Sequence, residues 1–307
     1  MLPLNAAFVR PSSRYVFLVN AAAGTGRAPR QLAALLQRHP SIAARSRVVQ
    51  SSSAAELDAA LTLADDEIPV SVGGDGSFNA LVTLMDKRGE LQRTLGLIPF
   101  GTGNATAHTL GLHSTRLAMA ALDRGETTAI DIMRTGITGA PIALVSCSTG
   151  FESNFLQRYS ALRYKQRQWA GVSALLLNVP KRIRGVALSI DGAEWVHSTD
   201  VVHNVGVYNI PHYAFGKVMW RGMRRDDGLA IAAAVTSPFC YWNLMLRGIT
   251  APSARSVSER RLSGVRTVRW ETAELRSPLC LQVDGEFTTA TEASLSVDAR
   301  ALTVIHA

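Results

Sequence analysis

Residues 70–82 read VSVGGDGSFNALV, and the fold turns on this stretch. A short β-rich run (Ile68, Val70, Val72) ends in Gly73-Gly74-Asp75-Gly76. After Ser77 the apolar spacing becomes that of a helix, with Phe78, Leu81, Val82 and Met85 on one side. The pattern is strand, tight glycine turn, helix. Glycines accept positive φ and let a backbone approach a phosphate closely, and the free N–H groups of a following helix attract anions. Asp75 is the odd member, because a carboxylate beside a phosphate is repulsive unless it binds a metal, takes a proton or orients a hydroxyl. The tetrapeptide alone equally allows a plain turn in which Asp75 caps the helix. A second cluster, Pro99-Phe100-Gly101-Thr102-Gly103-Asn104, also follows an apolar strand (Leu95, Leu97, Ile98) and precedes a helix-like segment. Two such turns at the carboxyl ends of neighbouring strands describe a nucleotide crevice in an open α/β sheet.

The chain of 307 residues is long enough for two domains, and 47% hydrophobic with 18% charged residues is a globular composition. A net charge of +8 points to an anionic partner: a nucleotide, an acidic membrane surface or nucleic acid. No apolar run approaches the roughly 18–20 residues of a membrane span, and residues 1–11 lack a basic start followed by an apolar core, so a cytoplasmic location is expected. Cys147, Cys240 and Cys280 are scattered without a CxxC pair, which argues against a disulfide framework or a zinc site. The histidines are dispersed, and neither GxSxG nor HExxH occurs.

Tyr15–Val19 is a further strand candidate, running into Asn20-Ala21-Ala22-Ala23-Gly24-Thr25-Gly26 and then a helix marked by Leu32, Leu35 and Leu36. This loop fits neither GxxxxGK[ST] nor GxGxxG, which disfavours a P-loop enzyme or a Rossmann dehydrogenase. Val48 and Val49 give another strand, with Ser51 to Ser53 ahead of a helix, where a serine is ordinarily a cap. From Ile142 onward strand candidates follow one another: 142–145, 186–190, 201–207, 229–235, 265–270, 279–283, 295–297 and 302–305. They suggest a β-sandwich. Between the first two, residues 151–184 are helical in period and interleave Arg158, Arg163, Lys165, Arg167, Lys181, Arg182 and Arg184 with Tyr159, Tyr164, Trp169 and Leu175 to Leu177. Such a face can dock on an anionic bilayer, or can be an ordinary solvated basic surface.

VGGDGSFNALV followed by PFGTGN resembles the diacylglycerol kinase catalytic domain shared by bacterial lipid kinases and by diacylglycerol, sphingosine and ceramide kinases. NAD kinases share the GGDG turn more remotely. The resemblance implies a nucleotide-binding α/β domain over residues 1–131 and a β-rich lipid-substrate domain over 132–307, with Asp131 near the junction. Asn20, Gly24 and Gly26 match the family's first nucleotide loop, with alanines in place of its proline and serine. Ser51 matches a nucleotide-contacting Thr or Ser. With Gly73, Gly74, Asp75, Gly76, Ser77, Asn79, Gly101, Thr102, Gly103 and Asn104 these are the ATP-binding candidates.

Arg224-Arg225-Asp226-Asp227-Gly228-Leu229 is similar to the family's Mg²⁺ region, which implies the Asp227 carboxylate and the carbonyls of Arg224 and Leu229 as ligands. Asp-Asp-Gly is otherwise an ordinary turn. Leu281-Gln282-Val283-Asp284-Gly285-Glu286 is similar to the family's closing Asp-Gly-Glu motif. Its Glu is the proposed proton acceptor in bacterial members, a role given to the GGDG Asp in the sphingosine kinases. Here the expected base is Glu286, with Asp75 as an orienting or metal-linked partner, although Asp-Gly is also a common hairpin turn. Two family carboxylates are replaced, by Ala80 and Ala105, and Tyr208–Gly216 (YNIPHYAFG) matches its loop only loosely. The implied activity is transfer of the γ-phosphoryl of ATP to a lipid hydroxyl, that of diacylglycerol first, peripherally on an anionic membrane and without nucleic acid. The alternatives are a ceramide or sphingoid-base kinase, an NAD kinase-like enzyme with a soluble substrate, and a non-catalytic nucleotide- or membrane-binding regulator. A homodimer is left open.

Overall fold

The structure is a computed structural model that describes residues 7–10, 12–21, 26–101, 103–166, 173–174, 178, 181–183, 185–213, 216–237, 259–272 and 278–307. The chain divides into two compact units, residues 1–131 with 212–217 and 300–307, and residues 132–211 with 218–299.

The first unit runs β1 (Ala7–Phe8), β2 (Arg14–Asn20), α1 (Ala28–Gln37), α2 (Pro40–Ala43), β3 (Ser46–Ser51), α3 (Ala54–Ala60), β4 (Glu67–Gly73), α4 (Asp75–Lys87), β5 (Gly96–Pro99), α5 (Ala105–Thr109) and α6 (Thr115–Arg124), and ends within β6 (Glu126–Thr135). Four strands form a parallel sheet in the order β3-β2-β4-β5. Every residue of β4 is buried, as a parallel strand covered on both faces requires. The register sets Asn20 beside Ser51, Val19 beside Val72 and Gly73 beside Pro99, so the four strands end along one edge. From β2 the chain crosses outward to β3, and from β4 it crosses the other way to β5. Neighbours whose crossovers diverge mark the switch point of a doubly wound sheet, where a ligand crevice opens at the carboxyl ends.

The second unit takes β6 onward through β7 (Ile142–Ala143), β8 (Ser146–Gly150), α7 (Phe151–Gln166), β9 (Val186–Ile190), β10 (Ala193–Val196) and β11 (Asn204–Tyr208). A short ribbon, β12 (His212–Tyr213) and β13 (Lys217–Val218), whose residues 212–217 belong to the first unit, precedes β14 (Ala230–Val235), β15 (Glu259–Val265), β16 (Thr267–Thr272), β17 (Leu279–Val283), β18 (Glu286–Ala290) and β19 (Glu292–Ile305). One antiparallel sheet is ordered β15-β14-β11-β8-β17-β18, and an antiparallel run of β19, β16, β9 and β10 forms the other layer. The core between them takes alternate residues from each: Cys147, Val205, Val207, Ala232 and Leu281 from one, Leu188, Val268, Trp270 and Leu295 from the other. This alternation is the pattern of a sandwich. The division departs from a single cut after residue 131, because β19 continues past Ala299 and returns residues 300–307 to the first unit. Arg300 bends that strand with φ +53, and its N–H is accepted by the buried Asp131 carboxylate at 2.7 Å.

Candidate active site

The two glycine turns of the first unit meet backbone to backbone. Phe100 N–H and Gly101 N–H both donate to the Gly73 carbonyl, at 2.8 and 3.2 Å. A Cβ added to Gly101 would lie 2.4 Å from the Gly74 Cα and 2.8 Å from Asn104 Oδ1, and one added to Gly74 would lie 3.0 Å from the Gly101 Cα. The glycines are therefore fixed by close approach rather than by dihedral. Gly74 has φ −103, and of the described glycines in the three turns only Gly26, at +79, has positive φ. This corrects the expectation that the turns need left-handed glycines. The residue that does take that conformation is Asn104 (φ 50, ψ 37), whose Nδ2 donates to the Gly101 carbonyl at 2.6 Å. At Gly76 an added Cβ would meet no protein atom within 4 Å, so protein packing gives no reason for a glycine there.

Asp75 is the first residue of α4, and its side chain caps a different helix. Its Oδ2 accepts the Ala105 N–H and its Oδ1 the Thr106 N–H, both at 2.9 Å, which satisfies two of the orphan donors at the start of α5. The carboxylate thus staples the GGDG turn to the helix after the GTGN turn. A Cβ on Gly103 would come within 3.3 Å of Asp75 Oδ2. Each of the two Asp75 oxygens therefore accepts one backbone N–H of α5.

Asn20 and Ser51 stand side by side at the ends of β2 and β3, joined by Ala21 N–H to Ser51 carbonyl at 2.9 Å. The serine that caps α3 is Ser53, accepting Glu56 N–H at 3.1 Å, while the Glu56 carboxylate accepts the N–H of Ser52, one residue before the cap, at 2.7 Å. Ser77 and Asn79 lie on α4, where Asn79 Oδ1 accepts the Thr83 hydroxyl at 3.2 Å. Gly24 and Thr102 lie outside the described residues.

Three of the histidines read as dispersed come together near α5. His108 and His113 approach Nδ1 to Nδ1 at 3.0 Å, and the His108 and His212 ring centroids lie 6.0 Å apart. Thr109 Oγ1 donates to the Ala105 carbonyl at 3.0 Å, so it accepts from His212 Nδ1–H, also at 3.0 Å. Burial and the neighbouring His108 and His113 push the His212 pKa down to about 4, and burial lowers that of His108 as well. Long sequence separation hid this cluster. Among the described residues no group of three His, Cys, Asp or Glu is arranged to hold a metal ion.

Arg224, Asp227, Leu229 and Glu286 belong to the second unit. Asp227 is exposed, with Oδ1 accepting Leu229 N–H at 3.1 Å, while Arg224 pairs with Asp226 at 3.1 Å. One carboxylate and nearby carbonyls are hard oxygen donors of the kind Mg²⁺ takes with several waters retained, so the donor set fits that ion. Glu286 opens β18, exposed, opposite Val283 across the two-residue turn Asp284-Gly285. Asp284 has φ +48 and Gly285 +88, as a type I′ hairpin requires. The Asp284 carboxylate accepts the N–H groups of Leu144, Val145 and Ser146 at 2.7, 2.8 and 3.0 Å, which fixes the turn to the start of β8.

Residues 14–135 match the diacylglycerol kinase catalytic domain family. The GGDG and GTGN turns, Asn20 and Ser51 all fall inside the matched stretch, whereas Arg224, Asp227, Leu229 and Glu286 fall outside it. No curated protein matches the sequence. The crystal structure of a diacylglycerol kinase from Bacillus anthracis str. Sterne is similar with TM-score 0.67 and 16% identity, covering 96% of this chain and 97% of that one. A second structure assigned as a diacylglycerol kinase of the same strain has TM-score 0.72 at 18% identity, with the same coverage. At these identities the likeness shows a shared fold over both units.

Proposed function

We propose that the protein is an ATP-dependent lipid kinase that transfers the γ-phosphoryl group to the hydroxyl of diacylglycerol, giving phosphatidic acid. The observation that carries this reading is the backbone contact of Gly74 with Gly101 at the carboxyl ends of parallel strands, inside a kinase-family domain. Phosphoryl transfer asks for positioning and charge neutralisation more than covalent chemistry. The turns at 73–76 and 101–104, with Asn20, Gly26 and Ser51, cradle the nucleotide phosphates, and the open space at Gly76 leaves them room. Asp227, with the carbonyls of Arg224 and Leu229, would hold Mg²⁺, which supplies neutralising charge when bound. Glu286 takes the acceptor proton, and Asp75, with both oxygens committed to α5, orients the nucleotide turns.

The acceptor is a membrane lipid, approached from an anionic surface. Supporting this, α7 carries Arg158 next to the Phe155–Tyr159 pair, stacked 6.1 Å apart on one helix face. Arg163 and Lys165 lie on the same helix, while Arg167, Trp169, Leu175 to Leu177 and Arg184 lie outside the described residues. Among the described residues no helix is long and apolar enough to cross a membrane. A non-catalytic nucleotide-binding regulator is the second reading, favoured by Ala80 and Ala105 in place of family carboxylates. ATP turnover against diacylglycerol, ceramide, a sphingoid base and NAD, with the lipids in mixed micelles, tests both. Turnover with diacylglycerol alone is expected, whereas ATP binding without turnover on any acceptor would overturn the kinase reading.

A further inference from the structure

The turn that presents Glu286 is held from behind by a buried hydrogen-bond chain that the proposed chemistry does not use. Gln282 is fully buried on the face of β17 opposite the sandwich core. Its Oε1 accepts the Gly285 N–H at 2.9 Å, and its Nε2 donates to Ser146 Oγ at 2.9 Å and Ser148 Oγ at 3.0 Å. Because a backbone donor faces the amide oxygen, only one orientation of the amide satisfies the network. Ser148 in turn donates to Glu152 Oε2, and Tyr208 donates to Glu152 Oε1 at 2.9 Å. Glu152, itself buried, sits in the first turn of α7, and its backbone N–H is held by Asn204 Oδ1 at 3.0 Å. The chain therefore runs without a break from the residue before Glu286 to the start of α7.

We propose that Gln282 is a positioning residue: through the Gly285 N–H it sets where Glu286 begins its strand, and Ser148, Glu152 and Tyr208 hold it in place. The proposal rests on Glu286 being the acceptor-side carboxylate. Burying an amide among three partners is costly unless all are satisfied, and here each polar atom of Gln282 has a partner. An unpartnered Gly285 N–H releases the turn from one of its two holds, the other being Asp284. Misplacing a catalytic group by about 1 Å can cost on the order of 10²-fold in rate.

The test compares Gln282→Met, close in volume but without the amide, with Glu286→Gln and the double variant, using diacylglycerol in mixed micelles. Gln282→Met is expected to lower kcat by roughly tenfold to 10²-fold with the KM for ATP unchanged, and to add no further loss on top of Glu286→Gln. A slowed Glu286→Gln enzyme on which Gln282→Met imposes its full loss overturns the proposal and leaves the functional reading standing. A Glu286→Gln enzyme as fast as the parent overturns the acceptor-side assignment, and the proposal with it. Amide exchange followed by NMR decides without turnover. Gly285 should exchange about tenfold faster in Gln282→Met while Leu144 and Val145, held by Asp284, keep their protection. Equal Gly285 protection in both proteins overturns the proposal.

Discussion

Replacing Asp75 by Asn separates a staple from a base. In the native arrangement each carboxylate oxygen accepts one N–H of α5 at 2.9 Å. An asparagine keeps one acceptor and turns an NH₂ group toward the other donor, so one charge-assisted bond is lost and one part-buried N–H is left without a partner. Such a loss costs about 2–3 kcal/mol. The strain falls on the contact between the two glycine turns, since Asp75 leads from one and Ala105 follows the other. If nucleotide binding needs both turns in register, up to the same energy leaves the ATP affinity, a tenfold loss for each ~1.4 kcal/mol and so about 10–10²-fold in all. The melting temperature should fall by roughly 5 °C, and kcat should fall alongside the affinity. Calorimetric ATP titration, thermal unfolding and steady-state kinetics on one preparation measure all three. An Asp75→Asn protein with unchanged melting temperature and ATP affinity but no turnover would refute the staple and make Asp75 the base.

The glycines give a paired prediction. Gly101→Ala places a Cβ 2.4 Å from the Gly74 backbone and should lower both melting temperature and ATP affinity, whereas Gly76→Ala meets no protein atom and should weaken ATP binding with stability unchanged; equal melting temperatures for both variants would contradict the packing argument. His212 predicts a pH dependence. Its folded pKa of about 4 lies below the ordinary 6.5, so the neutral ring's contribution is fully present above pH 6.5 and is lost as the pH falls toward 4. For a half-buried ring this amounts to about 1–2 kcal/mol, and His212→Asn should flatten the fall seen in melting scans from pH 7 to 4.5. Asp227→Ala should raise the Mg²⁺ concentration needed for half-maximal turnover by at least about tenfold while metal-free ATP binding stays as it was, and an unchanged Mg²⁺ dependence would take Asp227 out of the site.

The parts of the fold legible in the sequence are those where side chains repeat with the period of their element. Ile68 to Val72 alternated into a glycine turn and became β4, and residues 279–283 became β17 over the same span. Where a strand faces a polar network the signal fails. Residues 142–145 read as one strand, but the chain forms β7 at Ile142–Ala143 and then β8 at Ser146–Gly150, whose Ser146 and Ser148 point to Gln282 rather than to the core. The last strand read as two short ones because residues 298–301 are mostly polar or small, yet β19 is continuous from Glu292 to Ile305 with a left-handed bend at Arg300. A bend of that kind leaves no mark in hydrophobic periodicity.

The two glycine turns are legible in the sequence as residue types at the ends of neighbouring strands, but the reason for their glycines is not. GGDG and GTGN read as turns whose glycines are freed for positive φ. In the structure the described glycines of both turns keep negative or extended backbone, and Gly74 and Gly101 are small because they touch each other. Their identities are thus one requirement written at two places 27 positions apart, and the Asp75 staple to Ala105 and Thr106 is a second link between the same two turns. A larger residue at 74 could not be relieved by a change at 101, which has no side chain left to remove, so each turn must be small on the other's account. Asp75 can stay between two turns suited to anions because both its oxygens are already satisfied by backbone donors, the condition under which a carboxylate tolerates such a place.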